Sequence, residues 1–155
     1  MTPYQYNLLN EKAQEIRLLT ILPGKLISEI RVSLDTLSLT EETVLEFEAL
    51  SWCWGSLLDP VDIFVGKRGN WTVRVTQNLA SPLPCLRYLN KPRRIWIDAI
   101  CVIQQDLEER SSQVKRMADI YAAASQFVVW LGPERDDTQL AIDYCKDVSV
   151  NITVD

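Results

Sequence analysis

The chain has 155 residues, of which 47% are hydrophobic and 24% are charged, and its net charge is −5. This length and composition are typical of one globular domain with its own core. The acidic balance argues against nucleic acid as a partner, and the apolar runs are too short to form a membrane-spanning helix. Because the chain contains no histidine, a Ser-His-Asp triad and a Cys-His pair are both excluded within it.

Cysteine usage points to a reduced compartment. The four cysteines stand at 53, 85, 101 and 145, and no two of them have Cys-x-x-Cys spacing. Zinc sites need Cys or His ligands at short spacings, so we expect no metal site. We expect no bound cofactor either. The N-terminal stretch MTPYQYNLLNEKAQEIR lacks the apolar core of a signal peptide. We therefore expect a cytoplasmic protein with free thiols.

The first half of the chain predicts antiparallel hairpins. Residues 15–24 (EIRLLTILPG) read as a strand that ends at Pro-Gly, and residues 29–39 alternate apolar and polar side chains. A third strand is predicted within 40–55, where it ends in a Trp-rich turn. Residues 61–76 have a Gly-Lys-Arg-Gly-Asn centre between two alternating arms, which indicates a second hairpin.

The second half alternates helices and strands. Ser81 is expected to cap a helix in which Leu83, Leu86 and Leu89 keep helical spacing. The remaining predicted elements are, in chain order, a buried strand at 93–100, a helix at 106–124, a continuous apolar strand at 126–132, a short helix at 136–148 and a last strand at 148–154. The apolar stripe expected along the 106–124 helix consists of Val114, Met117, Ala118, Tyr121 and Ala124.

Continuous apolar strands separated by amphipathic helices indicate a parallel sheet that is covered on both faces. We therefore predict an α/β fold with a mostly parallel sheet flanked by helices and with additional N-terminal antiparallel β-hairpins. Residues 1–155 are expected to form a single domain. Its hairpin-rich part is 15–75 and its alternating helix and strand part is 76–155.

Unusual residues follow three of the predicted strands. They occur in SWCWG (51–55), DAICVIQQD (98–106) and WLGPE (130–134). Ligands of parallel α/β sheets bind beyond the carboxyl ends of the strands. If the three strands are neighbours, one rim contains Ser51, Trp54, Gly55, Asp98, Cys101, Gln104 and Glu134.

Each of these residues, and the nearby Glu109 and Arg110, also has a purely structural interpretation. Asp98 can cap the following turn, and Cys101 can be a buried packing residue, since no histidine is available to activate its thiol. Glu109 can be the third residue of a capping pair with Asp106, and Arg110 can pair with acidic neighbours on its helix.

Two further rim positions are equally open. Glu134 can be a solvated loop residue. Trp52 and Trp54 alternate along a strand, so one of them should face the core, while the other is either a surface aromatic or a stacking platform.

Three co-linear blocks carry a resemblance to a known family. FEALSWCWG (47–55), VTQNLASPLPCLRYL (75–89) and RRIWIDAICVIQQDLEERSSQVKRMADIYAAASQFVVWLG (93–132) resemble successive blocks of the fungal heterokaryon incompatibility (HET) domain. Phe47 and Trp52 stand where the family usually has Tyr, and Ile103 stands where it usually has Asn. Pro82 and Pro84 are atypical of the family's first helix.

The resemblance implies an effector domain of fungal self/non-self recognition that triggers programmed cell death, as the N-terminal part of a longer protein. HET domains are in turn distantly similar to TIR domains, which have a flavodoxin-like fold and self-associate. Many TIR domains hydrolyse NAD at the nicotinamide–ribose bond. On this basis NAD would be a substrate and not a resident cofactor.

TIR-like hydrolysis needs a carboxylate but no histidine. The candidate catalytic residues are Glu134, Glu109 and Asp98, with Glu134 first because it is the only Glu after VVWLG. The candidate ligand-binding residues are Ser51, Trp54, Gly55, Cys101, Gln104 and Arg110. The alternative is a non-enzymatic death-signalling module that acts by homotypic self-assembly. In either case we expect a homo-oligomer on activation, with downstream incompatibility proteins as partners.

Overall fold

A computed structural model of the chain describes residues 2–40, 46–132 and 143. These residues form eight strands and five short helices. The strands are β1 (Thr2–Pro3), β2 (Glu15–Ile21), β3 (Arg31–Ser38), β4 (Glu48–Ser51), β5 (Val61–Val65), β6 (Trp71–Val75), β7 (Arg93–Trp96) and β8 (Gln126–Val129). The helices are α1 (Gln77–Ala80), α2 (Leu83–Leu86), α3 (Asp98–Cys101), α4 (Leu107–Lys115) and α5 (Met117–Ala123).

All eight strands form one mixed sheet in the order β1-β6-β5-β3-β2-β7-β4-β8. Strands β2 and β3 pair antiparallel from Glu15↔Ser38 to Ile21↔Val32, and β5 and β6 pair antiparallel as well. Both predicted hairpins are therefore confirmed.

Parallel pairing occurs in both parts of the sheet: β1 pairs parallel with β6 and β3 with β5, and the three strands at the other end are all parallel. Strand β4 pairs parallel with β7 on one side and with β8 on the other. The α/β class is thus confirmed, but a strand from the hairpin-rich half stands between the two strands predicted to form the parallel sheet. Strand β7 pairs antiparallel with β2, which joins the two parts into one sheet.

The core is centred on strands β2, β7 and β4. Residues 16–19 of β2 are all buried, so this strand is covered on both faces. Trp96, Ile95 and Leu50 are fully buried beside it. Burial of each such side chain contributes about 1.5–3 kcal/mol to folding.

Strand β8 is less buried than its sequence predicts. It forms one edge of the described sheet, where Phe127 and Val129 are 58% and 59% exposed. Val128 is half-buried and packs against the core. A continuous apolar run therefore does not guarantee burial on both faces, because an edge strand has one neighbour fewer.

The predicted helix after Ser81 is shorter than expected. Ser81 ends α1, where its N–H donates to the Gln77 carbonyl, and α2 starts only after Pro82. Proline has no N–H to continue a helix from the preceding residues. Leu83 and Leu86 are buried as predicted, whereas Leu89 lies beyond the helix and is 61% exposed. The prediction for Ser81 and Leu89 was wrong.

The strand predicted at 93–100 ends at Trp96, and residues 98–101 form one helical turn. The N–H groups of Ile100 and Cys101 both donate to the Ile97 carbonyl. Ile97, Ile100 and Cys101 are buried. Their i, i+3, i+4 spacing suits a helix as well as their apolar character suits a strand.

The predicted helix at 106–124 is two helices, α4 and α5, separated at Arg116. The Arg116 guanidinium donates to the carbonyls of Glu15 and Gln14 at 3.1 and 2.9 Å, which anchors the junction to the start of β2. In α5 and its C-cap the predicted apolar stripe is confirmed for Met117, Tyr121 and Ala124, which pack against the core, and was wrong for Ala118, which is exposed. In α4 it was wrong, because Val114 is 57% exposed.

The predicted helix at 136–148 and strand at 148–154 fall outside the described residues, apart from Asp143, which has helical backbone. No helix in the described part of the chain is long and apolar enough to cross a membrane.

Candidate functional site

Two of the three predicted strand ends meet at one edge of the sheet. Because β7, β4 and β8 run parallel and are adjacent, their carboxyl ends point the same way. The residues that follow β4 and β7 come together there, and the described chain after β8 stops at Gly132. Glu134, the first choice for a catalytic residue, lies outside the described residues.

Asp98 is the centre of this meeting point. It is half-buried and accepts three hydrogen bonds, two from the Trp-rich turn and one from its own segment. Trp52 Nε1 and the Ala99 N–H donate to Oδ1 at 3.0 and 2.8 Å, and Trp54 Nε1 donates to Oδ2 at 3.2 Å. Asp98 bonds to the following turn, as its structural interpretation predicted. It also joins the Trp-rich turn after β4 to the end of β7.

The two tryptophans lie on top of each other. Their ring centroids are 5.4 Å apart, with an interplanar angle of 22°. Trp52 packs against the core and Trp54 is 39% exposed, so one of the pair is against the core as expected. The two rings nevertheless lie on the same side, because residues two apart on an extended chain share a face. Both indoles point their N–H groups at the same carboxylate, so the SWCWG turn is fixed by Asp98.

A cleft of about 310 Å³ opens beside this carboxylate. Its walls come from the Trp-rich turn, the α3 region and one side of α4 and α5. The residues that line it are Trp54, Trp96, Asp98, Val102, Gln104, Arg110, Gln113, Val114 and Met117. Four predicted site residues, Trp54, Asp98, Gln104 and Arg110, are therefore together in one cleft.

Gln104 connects two of these residues. Its side-chain Nε2 donates to the Asp98 carbonyl at 2.9 Å, and its backbone carbonyl accepts from Arg110 Nη1 at 3.5 Å. Arg110 has no carboxylate within ion-pair distance in the described part of the chain, so the predicted pairing with acidic helix neighbours was wrong. The nearby Asp106 carboxylate accepts the N–H groups of Glu108 and Glu109, both at 3.0 Å, and caps α4 as predicted.

Trp96 and Gln113 were not predicted to belong to the site. Trp96 is fully buried, and its indole Nε1 has no hydrogen-bond partner among the described residues. The Tyr121 ring packs edge-on against it with centroids 5.7 Å apart. Gln113 is 2% exposed. The sequence feature that could have identified Gln113 is its position one helical turn after Glu109, on a helix face outside the predicted apolar stripe.

Glu109 belongs to a different environment, which we call the Arg17 cluster: Arg17, Glu109, and the carbonyls of Asn7 and Cys101. Arg17 donates to both Glu109 oxygens at 2.5 and 2.9 Å, and also to the two carbonyls. Arg17 and Glu109 are 2% and 8% exposed.

Glu109 also accepts the Ile103 N–H at 2.8 Å. Only half of the predicted capping pair is therefore present: Asp106 accepts the Glu109 N–H, but the Glu109 side chain turns to Arg17 and Ile103. Because the Ile103 contact uses the backbone, the unusual residue at this position leaves it unchanged. An arginine in the middle of the apolar run EIRLLTIL was the signal that a buried acid had to lie opposite.

Cys101 points into the core next to the Arg17 cluster. It is 1% exposed, and the Ile97 N–H approaches its Sγ at 3.5 Å. Burial raises the pKa of the Cys101 thiol to about 12, so the sulfur stays protonated near neutral pH and is a poor nucleophile. The structure does not place Cys101 in the cleft.

Ser51 and Gly55 flank the Trp-rich turn but do not line the cleft. The Ser51 carbonyl accepts the Trp130 N–H at 2.9 Å and extends the β4–β8 pairing. Gly55 has a φ of +64°, and a Cβ there would overlap the Asn78 side chain. The requirement for glycine at 55 is thus explained by packing against Asn78 and by backbone conformation.

A second cleft of about 350 Å³ lies at the β2–β3 connection and holds none of the predicted site residues. Its buried Arg87 donates to the carbonyls of Lys25, Ser28 and Glu29. Arg87 therefore fixes this loop, and the polar residues proposed from sequence converge on the first cleft only.

Comparison with known proteins gives the family. Residues 47–154 match the family model described as "Heterokaryon incompatibility protein (HET)". A curated relative from Neurospora crassa, "Heterokaryon incompatibility protein 6, OR allele", is 40% identical over 110 residues, which cover 64% of this chain and 16% of the relative. No solved structure matches the chain, so the likeness to TIR domains stays a prediction. Because the family match covers well over half of its residues, the chain belongs to the heterokaryon incompatibility (HET) family.

Proposed function

We propose that this chain is the effector domain of a fungal heterokaryon incompatibility protein, and that its cleft hydrolyses NAD as the step that triggers programmed cell death. The family and the relative's name support the role in incompatibility. The observation that carries the chemistry is the Asp98 carboxylate, which three donors hold at the wall of an aromatic cleft. Activation by self-association in the cytoplasm is part of the same proposal.

The reaction suits a site built on a carboxylate. The bond between ribose C1′ and the pyridinium nitrogen breaks, and its electron pair leaves with nicotinamide, which departs as a neutral molecule. The positive charge that develops on the ribose is stabilised by a nearby carboxylate. Water then adds at C1′ and releases one proton, which gives ADP-ribose. Because the leaving group needs no proton, the lack of histidine is no obstacle.

Asp98 suits this role better than Glu109. The donors to Asp98 are neutral N–H groups, and no Lys or Arg lies within ion-pair distance of it among the described residues. Its negative charge is therefore available to a developing cation. Glu109 is already neutralised by the two hydrogen bonds from Arg17.

The volume of the cleft limits how much of a ligand it can enclose. Its volume of about 310 Å³ is at the small end of the range for ligand sites, about 300–1,000 Å³. Trp54 offers an aromatic face for a nicotinamide or adenine ring. We infer that one nucleotide half enters and the other half lies on the exposed surface.

The test is nicotinamide release from NAD by the purified chain at several concentrations. Asp98→Ala should abolish release, and Asp62→Ala, at an exposed pair remote from the cleft, should leave it unchanged. Glu134→Ala and Glu109→Ala complete the set, with folding checked by circular dichroism. Turnover that survives Asp98→Ala and is lost in folded Glu134→Ala would move the catalytic role to Glu134. Absence of turnover at every concentration, with death activity retained in cells, would rule out hydrolysis.

Edge strand β8 favours a second candidate function, a non-enzymatic death-signalling module that acts by homotypic self-assembly. Phe127 and Val129 are more than half exposed along this strand, and an exposed apolar edge strand is a template for pairing with another chain. Val129→Lys should then reduce the assembled mass in light scattering and reduce cell death, even in an Asp98→Ala background. Cell death that depends on Asp98 and not on Val129 would contradict this candidate.

A further inference from the structure

Arg110 is an exposed arginine at the cleft and differs from the arginines that are buried in the fold. Arg17 is bound to Glu109, Arg93 to Glu48, and Arg87 to three carbonyls. Arg110 makes one long contact, to the Gln104 carbonyl at 3.5 Å, and has no acid partner in the ranges that the structure describes. It lines the cleft, so most of its five N–H donors are available to a ligand.

The hydrogen-bond donors and acceptors of the cleft indicate which chemical groups of a ligand would bind there. Asp98 is a carboxylate, which binds hydrogen-bond donors such as ribose hydroxyls. Arg110 has donors only, and its planar fork matches a phosphate. Gln104 donates from its side chain to the backbone carbonyl of Asp98 and accepts from Arg110 at its own carbonyl, so Arg110 lies beside the segment that carries the Asp98 carboxylate, and both residues line the same cleft.

We propose that Arg110 binds the phosphate of a phosphorylated nucleoside and so sets the cleft's preference for nucleotides over unphosphorylated nucleosides. This inference rests on the proposed function, since it takes the same cleft as the substrate site. The ligand class is a ribonucleotide with at least one phosphate on its 5′ carbon. Nothing in the proposal requires that the nucleotide be cleaved.

The experiment measures binding of ADP-ribose, AMP, adenosine and inorganic phosphate to the 155-residue chain by isothermal titration calorimetry. The variants are Arg110→Gln and Arg110→Lys, with Arg74→Gln as the control because Arg74 is an exposed β6 arginine outside the cleft. Arg110→Gln should weaken ADP-ribose and AMP about 10- to 100-fold, since hydrogen bonds to a charged group contribute about 1.5–3 kcal/mol. Adenosine binding should not change, and Arg110→Lys should retain part of the phosphate affinity.

The outcomes separate this inference from NAD hydrolysis. ADP-ribose binding that depends on Arg110, without any nicotinamide release, would support the inference and contradict hydrolysis. NAD turnover with an unchanged KM in Arg110→Gln would contradict the inference and leave hydrolysis standing. Equal losses of affinity for adenosine and ADP-ribose in Arg110→Gln would also overturn the inference, as would the absence of nucleotide binding to the unmodified chain. Binding of inorganic phosphate alone would contradict recognition of the nucleoside and so overturn the ligand class proposed here.

Discussion

Asp98 and Glu109 stand close together in the sequence, yet they lie in opposite kinds of site. Glu109 is buried, is bound through both oxygens to Arg17, and accepts one backbone N–H. Asp98 is half-buried, accepts only from neutral N–H groups, and borders an open cleft. The comparison shows that the partner decides what a carboxylate can do. A neutralised acid holds elements together, whereas an acid that keeps its charge beside a cavity can act on a ligand.

The largest effect is expected at the Arg17 cluster. Glu109→Gln leaves the Arg17 charge buried without a counter-ion, which should lower the free energy of unfolding by about 3–5 kcal/mol. Urea denaturation followed by tryptophan fluorescence measures this change. The matched control is Asp62→Asn, at the exposed Arg74–Asp62 pair, where we expect a loss below about 1 kcal/mol. Similar losses at the two sites would contradict a structural role for the Arg17 cluster.

At Asp98 the larger effect is expected on activity. Asp98→Asn should reduce NAD turnover by about 10²–10³-fold, as loss of one electrostatic stabiliser does in other enzymes. Its amide NH₂ must face one of the indole N–H groups, so stability should fall by about 1–3 kcal/mol, less than for Glu109→Gln. Steady-state kinetics and urea denaturation of the same preparation test both. A stable variant with full turnover would show that Asp98 only orders the Trp-rich turn.

The stacked tryptophans should divide into a supporting and a ligand-facing residue. Trp52→Phe removes a donor from Asp98 Oδ1 inside the packed region, which should lower the free energy of unfolding by about 1–3 kcal/mol. Trp54→Phe should cost less, because Trp54 is 39% exposed and water can replace its N–H. Trp54→Ala should raise KM more than it lowers kcat, since it removes the stacking face. An equal stability loss in the two Phe variants would contradict this division.

The smallest effect concerns the pH dependence of stability at Cys101. Burial raises the pKa of its thiol from the ordinary 9.0 to about 12, so between these values the folded state keeps a proton that the unfolded state loses. The contribution to stability is therefore complete below pH 9 and is lost as the pH rises toward 12. Urea denaturation from pH 8 to 10 should show a steeper decline for the unmodified chain than for Cys101→Ala.

Alkylation gives an independent check. In the folded chain at pH 8, iodoacetamide should modify the exposed Cys53 and Cys85 and spare Cys101. Mass spectrometry of tryptic peptides reads out the positions. Rapid modification of Cys101 under these conditions would show that its surroundings open in the native state.

Much of the fold follows from local pattern. Alternation predicted both hairpins, and the Asp106 cap was recognisable from its place before the helix. The errors occurred where local pattern is ambiguous. Ile97, Ile100 and Cys101 are apolar at a spacing that fits a buried strand or a helical turn, and the break at Arg116 depends on carbonyls of Glu15 and Gln14 that are remote in the sequence.

The candidate site was predicted in part for the same reason. Trp54, Asp98, Gln104 and Arg110 were found because the carboxyl ends of adjacent parallel strands meet at one edge. Trp96 and Gln113 were missed because each sits in an element with an ordinary structural explanation. Cys101 was included because it lies in the segment that follows β7, although its side chain is buried in the core and not in the cleft.

The sequence by itself determined the α/β class, the two hairpins, the HET family and the restriction to chemistry without histidine. These properties depend on residue types and on their spacing along the chain, and the spacing of apolar residues indicates which side chains are buried. Only the tertiary structure decided that Glu109 binds Arg17 while Asp98 faces a cleft with Arg110. That distinction depends on which groups from distant segments come within hydrogen-bond distance. The partner of a charged side chain is therefore set by tertiary contacts and not by the local sequence pattern.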